Sequence, residues 1–94
     1  MLQVNEYFEG KVKSIALNNQ EGRFTVGVLD IGEYTFSTSQ AEEMSVVTGS
    51  MQVLLDGDPA YRTFHQGQSF NVPAASEFQV KIEVQTAYLC RYFD

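Results

Sequence analysis

GQSFNVPAASEF, Gly67 to Phe78, is the stretch on which the fold turns. Phe70 and Val72 alternate with Ser69 and Asn71, and after a break Phe78, Val80 and Ile82 alternate with Gln79, Lys81 and Glu83. Successive side chains of a strand point to opposite sides, so this period of two predicts strands with one buried and one wetter face. Gly67 precedes the first run, and Pro73 to Ser76 separate it from the second. Proline presets its backbone angle and glycine reaches angles that other residues resist, so both runs are bounded by turns. The segment reads as strand, turn, strand.

The same rhythm extends in both directions. Turn residues recur at Asn18 to Gly22, Asp30 to Gly32, Gly49-Ser50, Asp56 to Pro59 and Gln66-Gly67. That spacing belongs to all-β sandwiches and barrels. Phe24, Val26 and Val28 alternate with Thr25, Gly27 and Leu29; Tyr34, Phe36 and Thr38 alternate with Thr35 and Ser37. Tyr88, Cys90 and Tyr92 oppose Leu89, Arg91 and Phe93. Ser39 to Met44 carries a helix-start pattern, with Ser39 as cap and Glu42 and Glu43 in the first turn. The β-branched Val46-Val47 and then Gly49 follow at once, so one short turn leading into a strand is expected. Strands that are apolar on both sides need cover on both, which a sheet folded over itself provides. The expected architecture is a single all-β domain over residues 1–94. It is a small jelly-roll-like barrel of about nine short antiparallel strands with little or no helix.

Composition narrows the partners. A chain of 94 residues buries one modest core, and without disulfides a domain of this size often gains stability by pairing with a copy of itself. A homodimer is therefore expected. The net charge of −6 repels a phosphodiester backbone and argues against a nucleic acid polymer, though not against one phosphate or nucleoside. The sequence holds no long apolar run, so no membrane partner is expected, and the cytoplasm is the default location. Cys90 lies inside a strand pattern and reads as a small buried hydrophobe. His65, the one histidine, stands at a turn with no second histidine to share a metal or complete a dyad.

Spacing within the opening segment adds a resemblance. A glycine, five residues, a proline and an aromatic five positions on are similar to the second signature of the cupin barrels. Ala75 stands for its second glycine and Phe78 for its metal-binding histidine. The first signature ends in a glutamate, six residues and a glycine, a spacing kept by Glu42 and Gly49. Its upstream histidine pair falls on Phe36 and Thr38, or on Thr35 and Ser37, according to register, and none of these is histidine. The resemblance implies a cupin fold whose metal ligands are missing.

Six segments, in order from the N-terminus and two of them within the opening stretch, resemble one family. They are NEYFEGKVKSI, GEYTFST, EEM, FNVP, SEF and YLCRY. The family is that of the short cupin-fold pyrimidine/purine nucleoside phosphorylases, and the likeness spans Met1 to Tyr92. Departures at residues 20–23, 59–66 and 81–86 read as loops and strand ends. The resemblance implies phosphorolysis of purine and pyrimidine nucleosides to free base and ribose 1-phosphate with broad specificity. Phosphate is then a co-substrate, and no metal or organic cofactor is implied.

Breaking an N-glycosidic bond builds positive charge on the sugar and negative charge on the base. It calls for donors around phosphate, an acceptor near the sugar and a donor for the base. Among Arg23, Arg62 and Arg91, the last lies in the family-like YLCRY and is the first candidate for phosphate, an outward-facing arginine being the plain alternative. Glu42 takes the place of the inward cupin glutamate; Glu43 is not separable from it by sequence, and Glu77 is a similar candidate on the opposite wall. Ser37 and Thr38, with Thr35, offer hydroxyls near the missing histidines. Tyr34, Phe36, Phe78, Tyr88 and Tyr92 are candidates to stack on a base or simply to fill the core. The reading is a metal-free phosphorylase with Glu42, Glu43 and Arg91 as catalytic candidates. Tyr34, Phe36, Ser37, Thr38, Glu77 and Phe78 are the substrate-binding candidates. The main alternative is a barrel that binds a nucleoside or sugar without turnover. A metal-dependent cupin oxygenase or isomerase would require more histidines than this chain has.

Overall fold

The computed structural model describes residues 1–93 as ten strands and one 3₁₀ turn, Phe8–Gly10. In chain order the strands are β1 (Val4–Tyr7), β2 (Val12–Asn19), β3 (Gly22–Leu29), β4 (Gly32–Ser37) and β5 (Ala41–Thr48). They continue as β6 (Ser50–Leu55), β7 (Arg62–His65), β8 (Ser69–Val72), β9 (Glu77–Ile82) and β10 (Thr86–Phe93). Antiparallel pairing orders six of them as β1-β2-β3-β10-β5-β8 and the other four as β4-β9-β6-β7. The two sheets face each other as a sandwich, the all-β, jelly-roll-like architecture expected from the sequence, with the barrel left open rather than closed.

The opening segment is the corner of that sandwich. Its first half, β8, pairs with β5 in the larger sheet, whereas its second half begins β9, between β4 and β6 in the smaller. Thr38 clamps the crossing: its amide donates to the Ser76 carbonyl at 2.8 Å. Its hydroxyl donates to the Pro73 carbonyl at 2.7 Å and accepts from the Ser76 amide at 3.0 Å. Inside the clamp Ala75 sits at φ +52°, the left-handed region where a glycine would be unstrained.

Val12, Leu29, Met44, Val46, Met51, Val53, Phe70, Val72, Phe78, Val80 and Ile82 are buried between the sheets. Each large apolar side chain buried there stabilises by about 1.5–3 kcal/mol against the entropy of ordering the chain. On β3 the inward residues are Thr25, Gly27 and Leu29, while the more apolar Val26 and Val28 face out. After a bend at Ser39-Gln40 the chain enters β5 directly, as its β-branched run predicts. Arg62–His65, in a region expected to be loop, forms an edge strand on β6, with His65 exposed at its end. Among the described residues no helix is long and apolar enough to cross a membrane.

Candidate functional site

Between the sheets the core opens into a pocket of about 440 Å³, within the range that small-molecule sites occupy. The six-stranded sheet contributes its polar wall. On β10 the inward positions are the even-numbered ones, so Tyr88, Cys90 and Tyr92 line the pocket. On β5 Glu42 and Met44 share their side of the sheet, and β2 adds Ser14. The opposite wall is aromatic. Phe36 and Phe78 stand with centroids 5.5 Å apart, and the exposed Thr35 and Ser37 lie at its margin. Tyr7, Phe8, Ser39 and Gln40 complete the lining.

Glu42 is half-buried, and loss of solvent raises its pKa above the ordinary 4.5; a hydrogen bond from the Cys90 thiol partly offsets this. Around it stand groups that keep their protons. Burial, reinforced by the neighbouring Glu42 charge, pushes the Cys90 thiol up to about 12. Burial likewise pushes Tyr88 to about 12, with a hydrogen bond to Ser14 acting the other way. Tyr92 is raised mainly by burial, and its phenol shares a 3.1 Å hydrogen bond with the Thr25 hydroxyl. The wall therefore sets one acceptor carboxyl among neutral donors.

Two backbone features support this arrangement. Gly27 lies opposite Tyr88 in the ladder, and a Cβ there would come within 2.5 Å of the phenol oxygen. Only glycine lets the ring lie where it does. Phe8, in the pocket lining, and its neighbour Glu9 hold φ values of +54° and +59°, a conformation costing non-glycine residues on the order of 1–3 kcal/mol each. The turn brings the Phe8 ring to 5.0 Å from Tyr34 and 5.5 Å from Phe36.

Several candidates named from sequence meet here, and others do not. Glu42, Phe36, Ser37, Thr38 and Phe78 line the pocket, although the Thr38 hydroxyl is committed to the corner. Arg91 does not. It occupies an odd position of β10 and points outward, donating to the Glu21 carbonyl at 3.2 Å and lying over Phe24 and Phe93. Glu43 sits opposite Arg91 on the face away from Glu42. Glu77 is exposed on the outside of β9. Tyr34 is buried behind the aromatic wall, its phenol donating to the Asp30 carbonyl at 2.6 Å. Sequence reading passed over Ser14, although a serine between Val12 and Ala16 on an inward face was a signal. For Phe8 no local signal existed.

Among the described residues no group of three or more His, Cys, Asp or Glu side chains could hold a metal ion. Of the cupin ligand positions only Glu42 bears a ligating group; Phe36, Thr38 and Phe78 supply none, so these residues do not fit a metal.

The pocket thus sets an acceptor carboxyl across from an aromatic wall. Residues 2–92 match the model of a family described as pyrimidine/purine nucleoside phosphorylase. The chain belongs to this family. A pyrimidine/purine nucleoside phosphorylase of Erwinia tasmaniensis is 55% identical over 93 residues, covering 98% of this chain and 97% of that protein. Among solved structures, a Vibrio parahaemolyticus protein of unknown function superposes with a TM-score of 0.95 at 40% identity, covering 99% of both chains. An RmlC-like cupin from Shewanella frigidimarina superposes with a TM-score of 0.76 at 20% identity, over 97% of this chain and 82% of that one. The fold is therefore cupin-like.

Proposed function

We propose that this pocket cleaves purine and pyrimidine nucleosides with phosphate, releasing free base and ribose 1-phosphate. The observation that carries the reading is the facing pair of walls: Glu42 among protonated Cys90, Tyr88 and Tyr92, opposite Phe36 and Phe78. The aromatic wall offers π-faces that accept any base, which supports broad specificity. In this reading the Glu42 carboxylate faces the sugar and offsets the charge that builds as the glycosidic bond breaks. A tyrosine hydroxyl donates to the departing base.

The lining contains no lysine or arginine, so phosphate is assigned to neutral donors, with Ser37, Ser39 and Gln40 as candidates. No organic cofactor enters the scheme, and phosphate is the co-substrate. A lone buried thiol is at home in a reducing compartment, which supports a cytoplasmic assignment.

Purified protein incubated with inosine or uridine is expected to release base only when phosphate is added. Equal release without phosphate would make it a hydrolase, and no release with either nucleoside would defeat the enzyme reading. The cation-free lining favours one other reading, a module that binds a nucleoside without turnover. Calorimetric binding that persists over hours with phosphate present and no base formed would select it.

A further inference from the structure

Glu42 does not stand alone in its row of the sheet. The ladders set Asn18 of β2 opposite Arg23 of β3, Arg23 opposite Tyr92 of β10, and Tyr92 opposite Glu42 of β5. Residues directly opposite each other in antiparallel strands share a face, so all four belong to the inner side of the six-stranded sheet. The Arg23 guanidinium accordingly lies 5.6 Å from the centre of the Tyr92 ring. Beyond that ring the inner face continues into a second pocket of about 420 Å³. Tyr92 is common to the two linings, and its phenol shares the 3.1 Å hydrogen bond with Thr25, which belongs to the second. Gln3, Asn18 and Thr25 offer amide and hydroxyl donors there. Among the described residues, Arg23 is the only charged side chain in that lining, and no carboxylate joins it.

We propose that this second pocket takes a phosphoryl group carried by the ligand, so that the site binds nucleoside 5′-monophosphates as well as nucleosides. The inference rests on reading the Glu42 pocket as a nucleoside site, but not on turnover there. Spacing supports it. Adjacent strands lie about 4.8 Å apart, which puts the Arg23 backbone roughly 10 Å from that of Glu42, with Tyr92 between them. A ribose 5-phosphate unit has the matching polarity, with hydroxyl donors for the carboxylate at one end and an oxyanion for the guanidinium at the other. The planar fork of arginine donates two parallel hydrogen bonds to phosphoryl oxygens, and neighbouring amide and hydroxyl donors serve the rest. Electrostatics points the same way. A chain of net charge −6 repels a dianion from most of its surface, so an oxyanion settles where a cation and neutral donors meet without a carboxylate. Inorganic phosphate, as the attacking group, has to lie against the anomeric carbon in the first pocket, and is a separate oxyanion.

Calorimetry in phosphate-free buffer, where phosphorolysis cannot proceed, compares uridine with uridine 5′-monophosphate. The nucleotide is expected to bind about tenfold more tightly, the size of one charge-assisted contact. Added salt should erode that advantage and leave uridine binding nearly unchanged. Arg23→Gln should abolish the advantage, so that the two ligands bind alike. Asn18→Asp sets a carboxylate into the same row at an exposed position and should reduce the advantage too, which keeps the test open if Arg23→Gln fails to fold. Uridine that binds with no gain for its monophosphate overturns the inference alone. So does a gain that survives both substitutions in folded protein. Titrating inorganic phosphate by itself separates the two sources of a phosphoryl group. If Arg23→Gln weakens that binding while the nucleotide shows no gain, the pocket serves the co-substrate and the inference fails. Failure of both uridine and its monophosphate to bind overturns it together with the nucleoside reading.

Discussion

The six-stranded sheet turns Glu42, Cys90, Tyr88 and Tyr92 toward the pocket and a band of valine, isoleucine and leucine toward the outside. The four-stranded sheet turns Phe36 and Phe78 inward and Glu77, Gln79 and Lys81 outward. Burying a titratable group shifts its charge equilibrium only if its surroundings stay dry and rigid. The larger sheet meets that need by placing its polar wall on β10 and β5, which are paired on both sides. Phe36 belongs to β4, the edge of the smaller sheet, where an apolar ring loses little from looser support. The outer faces follow from the same split, for the sheet carrying the chemistry is also the one left with an apolar back.

Breaking the polar wall should have the largest effect. Glu42→Gln is expected to lower kcat/KM for phosphorolysis by roughly 10²–10³-fold, read in steady-state assays of base release. The same carboxyl ties the rate to pH. If its ionised form acts, kcat/KM falls as pH drops through a pKa that burial holds above 4.5, and Glu42→Gln flattens that limb. Stability runs the other way. A pKa that is higher in the folded state gives a contribution that is full below the unfolded value and lost as pH rises through the folded one. Glu42→Gln should therefore melt slightly above wild type at neutral pH and lose that advantage in acid.

Gly27→Ala tests whether the polar wall depends on close packing. Forcing a Cβ into the Tyr88 phenol should cost about 1–3 kcal/mol, lowering Tm by roughly 5–15 °C in a thermal melt. An unchanged Tm would mean that the ring has free space nearby. On the aromatic wall the effect should be smaller and of a different kind. Phe36→Leu is expected to raise KM about tenfold, roughly 1.4 kcal/mol, with kcat nearly kept. A loss confined to kcat would place Phe36 outside the base contact. The smallest effect is expected at the corner joining the sheets. Ala75→Gly relieves a left-handed alanine but adds freedom to the unfolded chain, for a net gain under about 1 kcal/mol in denaturant melts.

Much of this was legible in the residues themselves. Phe70 and Val72 against Ser69 and Asn71, or Phe78 and Val80 against Gln79 and Lys81, announce their buried side without a structure. Arg62–His65 was missed as a strand because it is short, mostly exposed and lacks a clean alternation. The site residues on β10 and β5 divided along one unreadable point. Tyr88, Cys90 and Tyr92 plainly share a side, but Leu89 and Phe93 make the side of Arg91 apolar too, so either side could be the inward one. On β3 hydrophobicity favours the wrong side, since Val26 and Val28 face out while Thr25 and Gly27 face the core.

Turn chemistry and alternation are properties of adjacent residues, and they carried the all-β class, most strand positions and the strand-turn-strand reading of Gly67 to Phe78, but not that its two strands belong to different sheets. The inward face of a two-sided apolar strand is a property of what lies across from it. For β10 that is Thr25, 67 residues from Tyr92 along the chain, and Glu42, which a single step in register separates from the outward Glu43. Only the folded sheets bring those partners together, because burial and its energetic consequences arise from neighbours in space.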